Sequence, residues 1–148
     1  MIKEVDIVVL VKVSMPNEPW TFRMLAHELR MDVAAVHRSV SRLREARLIS
    51  KGNSVQRMNA VEFLVHAVRY LAPAQLGPSE RGVPTAWAVE PLRRRLASDV
   101  EPGPVWPDPD GWARGPSIRP LAPKVPELAR EDESLHQWLS LVDSLRVG

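Results

Sequence analysis

The sequence predicts a mainly α fold: two short helices across a tight turn, then a small hairpin, a Pro/Trp-rich extension and a C-terminal helix. Three observations predict it. From Thr21 to Ile49 apolar residues recur at helical spacing on both sides of a turn, as Phe22, Leu25, Ala26 and Leu29, then Val36, Val40 and Leu43. Twelve of the 14 prolines fall between Pro73 and Pro126, which excludes long helices there. From Asp132 to Leu145 the helical pattern returns, with Leu135, Trp138, Leu139, Val142 and Leu145 on one face.

Each element has its own justification. Residues 2–13 are ambiguous, because Val5, Ile7, Val9, Val11 and Val13 alternate as a strand would. A lone strand ahead of two helices has no partner, whereas a helix apolar nearly all round would complete their core and meet a second subunit. The expectation is a helix. Ser14–Trp20, with Pro16, Asn17 and Pro19, reads as a loop. Thr21 and Asp32 each precede a periodic run, where a side-chain oxygen serves as a helix N-cap. Two helices joined by so short a turn cross steeply and leave the second one's outer face free, which is the helix-turn-helix arrangement. Ser50–Ser54 has turn composition, so Val55–Met58 is expected to pair back on Leu48–Ser50 as a short wing tipped by Gly52-Asn53. Asn59 is expected to cap a helix running to about Leu71, with Val61, Leu64, Val65, Val68 and Leu71 as its stripe. The division is therefore 1–72 and 73–148.

Beyond Pro73, proline density alone suggests disorder, but Trp87, Trp106 and Trp112 among the prolines favour an ordered, extended coat. Thr85–Val89 is expected as strand and Pro91–Leu96 as one or two helical turns. Arg81-Gly82 and Arg114-Gly115 form a weak echo without a repeat period. Trp106 and Trp112 either anchor this arm to the body or line a small-molecule pocket, and the anchor is the commoner role.

Composition narrows the function. The chain has 148 residues and no cysteine, so disulfides and thiolate metal sites are excluded. Lys3, Glu4 and Asp6 interrupt any signal peptide and no run spans a bilayer; the expectation is a soluble, cytoplasmic protein without a membrane partner. Net charge is only +2, but residues 20–57 carry eight basic and three acidic side chains, while 101–148 are net −3. Basic charge is concentrated on the two-helix stretch, as phosphate binding requires.

The second helix, drawn as a wheel, turns Val36, Val40 and Leu43 inward and Ala34, His37, Arg38 and Ser41 outward, with Arg42 and Arg44 on the flanks. In this arrangement the outer, N-terminal residues reach base edges in a major groove. The base-reading set is Ala34, Ala35, His37, Arg38 and Ser41, with Arg38 suited to guanine. Thr21, Arg23, Arg42, Arg44, Lys51 and Arg57 are expected on the DNA backbone, fixing position without reading sequence. The bland alternative is a solvated basic helix face. His27, His37, His66 and His136 are scattered without metal-ligand spacing. Asp108 and Asp110 lie in a Pro-Asp-Pro-Asp-Gly turn and are explained by turn chemistry. No phosphate loop, dinucleotide fingerprint or nucleophile–base pair stands out. No catalytic residue, metal or cofactor is expected.

The run LAHELRMDVAAVHRSVSRLREARLI resembles the winged helix-turn-helix of bacterial MarR-type regulators, which commonly read LA..LG.S...V.R.L..L...GL(I/V). The likeness covers about Val5–Met58 and is carried by Leu25, Ala26, Leu29, Met31, Val36, Arg38, Leu43, Leu48 and Ile49. Arg30 and Arg47 stand where that family usually has glycine, and a left-handed residue without glycine costs about 1 kcal/mol. The resemblance implies a homodimer reading a pseudo-palindromic operator in double-stranded DNA, here as an autoregulating repressor. The first and last helices and the proline-rich arm are expected at the dimer interface. The rival expectation is a protein-interaction module, such as an antitoxin that grips a neighbour-encoded partner through its C-terminal segment.

Overall fold

The computed structural model describes residues 1–15, 19–95 and 102–147. Part of the expected 14–20 loop, at residues 16–18, and the Leu96 end of the expected 91–96 turns lie outside the described residues. The chain forms two compact units, Met1–His66 and Ala67–Gly148, against the expected division at 72/73. The difference arises because the last helical turn, α5 (Val68–Leu71), packs on the C-terminal helix.

In the first unit, α1 (Glu4–Ser14) is a helix despite its alternating valines. From Asp6 to Val13 every residue is buried, so α1 offers no apolar face to a second subunit, contrary to expectation. It packs on α3 (Val33–Glu45), as does α2 (Phe22–Glu28). The caps divide: Thr21 Oγ1 accepts from the Met24 N–H at 3.0 Å, whereas Asp32 holds the N-cap position of α3 without a side-chain capping bond.

Both helices end in the same closure. Arg30 has φ 52° and Arg47 φ 62°, so each arginine is left-handed where the resemblance leads one to expect glycine. After α2, Met31 N–H reaches Ala26 C=O at 2.9 Å and Arg30 N–H reaches His27 C=O at 3.3 Å. After α3, Leu48 N–H reaches Leu43 C=O and Arg47 N–H reaches Arg44 C=O, both at 2.9 Å. These are the paired bonds of the Schellman motif, which satisfy carbonyls a helix end would otherwise orphan.

The expected hairpin shrinks to one bridge, Ile49 opposite Val55, with Gln56 N–H on Leu48 C=O at 2.8 Å and Asn53 at the tip with φ 65°. Arg57 and Met58 do not extend it; they begin α4 (Arg57–Glu62). Asn59 consequently lies inside the helix, and its Nδ2 donates to Arg47 C=O at 2.9 Å instead of capping. A π-helical segment follows at Phe63–Ala67. The expected apolar stripe is unevenly covered: Val68 is buried, Leu64 and Val65 are half-buried, and Val61 and Leu71 are exposed.

The second unit corrects the expectation of an extended coat and of a mainly α chain. Strands β1 (Ser79–Pro84), β2 (Val105–Pro107) and β3 (Ala113–Pro116) form an antiparallel sheet in the order β2-β1-β3. Val83 faces Trp106, and Arg81 faces Arg114, so the Arg-Gly echo lies on paired strands. Ser117 bridges back to Val105, joining the chain after β3 to β2. This tight coiling requires glycine: a Cβ at Gly82 would collide with the Trp106 carbonyl, and one at Gly111 with the Gly82 backbone. Thr85–Val89 is not strand but contains a 3-10 turn, Ala86–Ala88, and α6 (Leu92–Arg95) supplies one helical turn.

A helix unforeseen in the sequence, α7 (Val125–Glu131), precedes α8 (Glu133–Val147). Leu135, Leu139 and Val142 of α8 pack within this unit on the 3-10 turn, α5 and α7. Most of the apolar face of α8 is thereby covered within the unit, while Trp138 on the same face stays exposed. At its centre Asp143, 1 % exposed, accepts from Trp106 Nε1 at 2.6 Å, Thr85 Oγ1 at 2.7 Å and Arg146 Nη1 at 2.7 Å. Burial pushes the Asp143 carboxyl upward, against the opposing pull of Arg146, Thr85 and Trp106. Trp106 is an anchor, fully buried, while Trp112 is exposed and meets His136 edge-on. Asp108 Oδ1 accepts from Asp110 N–H at 2.8 Å, the expected turn chemistry, and Asp108 also pairs with Arg130 at 3.3 Å.

Candidate nucleic-acid interface

The candidate site is the outer face of α3, and its position follows from the inner one. Val36, Val40 and Leu43 are fully buried, as is Ser39. A helix so pinned must turn its opposite side outward. Ala34, His37, Arg38 and Ser41 are exposed together on that side, and Ala35 is half-buried. Arg23 on α2, Lys51 in the hairpin and Arg57 at the start of α4 are exposed as well.

Three expected contacts are altered by partners within the protein. Arg42 was expected on phosphate. Instead its Nε lies 2.7 Å from Asp6 Oδ2 and its Nη2 2.8 Å from Asp6 Oδ1, a bidentate pair. Asp6 is fully buried and also accepts from Ser39 Oγ at 2.6 Å and from the Lys3 N–H at 2.7 Å. Hydrogen bonding to Asp6 holds the Arg42 guanidinium above the ordinary arginine range, outweighing desolvation, so it stays charged. Arg44 was likewise expected on phosphate, but its Nη2 donates to Asn53 Oδ1 at the hairpin tip and its guanidinium lies 5.9 Å from the Phe22 ring centre. Thr21, also expected on the backbone, uses its hydroxyl oxygen to cap α2.

His37 is held from the side. Its ring stacks on Phe22 at 3.9 Å with 18° between planes, and Trp20 meets Phe22 edge-on at 5.7 Å. The outer face of α3 thus carries one orientated imidazole beside one exposed guanidinium. The arrangement suits hydrogen bonding to an edge-presenting, anionic ligand.

Sequence reasoning missed Asp6, Ser39, Phe22 and Asn53 as parts of this site. A signal for Asp6 was present: a carboxylate in a helix otherwise apolar nearly all round has to find a cation or neutralise. For Phe22 and Asn53 no local signal exists, since their partners lie 15 and nine residues away. Among the described residues no cluster of His, Cys, Asp or Glu could hold a metal ion, and no helix is long and apolar enough to cross a membrane. Comparison with known proteins yields no match to a family, to a curated protein or to a solved structure.

Proposed function

We propose that the first unit is a winged helix-turn-helix that reads double-stranded DNA, and that the protein is a homodimeric bacterial transcriptional regulator repressing its own operon. The observation that carries this reading is the two-sidedness of α3: a fully buried inner face beneath an exposed Ala34, His37, Arg38 and Ser41, in a stretch where basic side chains outnumber acidic ones eight to three. Arg38 is the principal base reader and the Phe22-stacked His37 the second; Ala34, Ala35 and Ser41 permit close approach. Arg23 and Lys51 are the phosphate contacts. Arg42 acts from within, by holding α3 to α1.

Mobility-shift titration of genomic duplex fragments at several salt concentrations tests the reading. Arg38→Ala should cost about 1–3 kcal/mol at the preferred site, roughly a five- to 150-fold loss. Lys51→Ala should weaken all duplexes alike and lower the salt slope by about 0.9. If the parent protein binds no duplex at low salt, the proposal falls. The exposed Trp112 and Trp138, 59 % and 47 % accessible, favour a second role for residues 67–148 in holding a protein partner. A stoichiometric complex with a neighbour-encoded protein, lost in the double variant Trp112→Ala/Trp138→Ala, is its mark.

A further inference from the structure

With α1 buried from Asp6 to Val13, an uncovered apolar face of the first unit lies on α4. Met58 is 87 % and Val61 60 % exposed, which is unusual for two apolar residues one helical turn apart on the same face. They are flanked by exposed charges of opposite sign, Arg57 beside Val61 on one side and Glu62 on the other. This order matches a short piece of heptad: Met58 and Val61 at the two seam positions, Arg57 and Glu62 at the flanking ones. The five-residue offset from Arg57 to Glu62 is the one at which flanking residues of two parallel helices meet. A second copy of this chain, turned about a two-fold axis along α4, therefore brings each Arg57 against the other copy's Glu62 and covers Met58 and Val61 with their own equivalents.

We infer that α4 is the contact between two copies of the chain, in parallel register, with Met58 and Val61 as its seam and reciprocal Arg57–Glu62 ion pairs at its edges. The inference deepens the regulator reading and rests on it only for the site the dimer would serve. The α-helical register gives way to the π segment at Phe63, so the seam is about two turns long and far below the ~800 Å² per partner of a standard stable interface. The dimer is weak in solution and is reinforced when two half-sites on one duplex hold the copies together, because binding then raises their effective concentration. Arg57, engaged across the two-fold, leaves the set available to phosphate.

The absence of cysteine in the chain makes the test direct. In the full-length protein, Val61→Cys places two thiols face to face across the axis, within disulfide reach. Under mild oxidation at micromolar concentration, without DNA, it should form covalent dimer at least tenfold faster than the control Gln75→Cys, an exposed position off the seam. Adding Arg57→Glu should slow the cross-link several-fold, and adding Glu62→Arg to that variant should restore it. The inference is overturned if Val61→Cys reacts no faster than the control, or if the double charge swap reacts no faster than the single one. Cross-linking that survives in a protein unable to shift any duplex would sustain this contact while sinking the DNA reading.

Discussion

Replacing Asp6 by asparagine should destabilise the first unit by about 3–5 kcal/mol. Asp6 is fully buried and accepts four hydrogen bonds, two on each oxygen. Asparagine keeps the shape but only one accepting oxygen; its amide nitrogen would face either Ser39 Oγ and Arg42 Nη2 or the Lys3 N–H and Arg42 Nε. One Arg42 bond is lost either way, and hydrogen bonds to charged groups contribute about 1.5–3 kcal/mol each; the Lys3 N–H is orphaned in one orientation, while in the other the Ser39 hydroxyl can turn to accept. Arg42, whose side chain is 20 % exposed, keeps partial access to water, which places the loss toward the lower end of the cost of breaking a buried pair. With a slope of about 1–3 kcal/mol per molar urea, the midpoint of the far-UV circular dichroism transition should fall by roughly 1–3 M. The double variant Asp6→Asn/Arg42→Met should recover part of the loss, because no unpaired cation then remains. A midpoint within about 0.3 M of the parent would refute the view that this pair binds α1 to α3.

Two further outcomes follow from local geometry. Arg47 is exposed and left-handed at φ 62°, so Arg47→Gly should relieve a backbone cost of about 1–2 kcal/mol, less the entropy glycine adds to the unfolded chain. A gain of roughly 0.5–1 kcal/mol in urea melts is expected, and a loss would contradict the Schellman assignment. The pH dependence of the second unit should report Asp143. Its folded pKa is raised above the usual 3.8 chiefly by burial, so the fold binds that proton more tightly than the unfolded chain does. The contribution is full below 3.8 and is lost as pH rises through the folded value. Tryptophan fluorescence melts across that range should show a decline in the parent that Asp143→Asn flattens; equal slopes would assign the decline to other groups.

What the amino-acid order determined by itself was local. Helical spacing placed α2, α3 and α8, and the buried and exposed residues of α3 alternate as its wheel requires, because a periodic apolar face has one low-energy way to meet a core. Thr21 declared its cap, and Gly52-Asn53 its turn. That Arg30 and Arg47 are left-handed was decided by the structure, where the backbone closure of the turn sets the conformation rather than the side chain. Tertiary structure decided everything that depended on a distant partner. Arg42 and Arg44 look like phosphate ligands in the sequence, yet Asp6, 36 residues away, and Asn53, nine away, claim them. The alternating valines of α1 form a helix because α1 packs on α3 and is buried on every side from Asp6 to Val13, which local propensity does not record. The proline-rich stretch folds as a small sheet rather than a coat because Trp106 and Thr85 meet a buried carboxylate on α8, a juxtaposition created only when strands 20 and more residues apart pair. Local pattern fixes which face of a helix looks outward; only packing settles which of its charges are left free to bind.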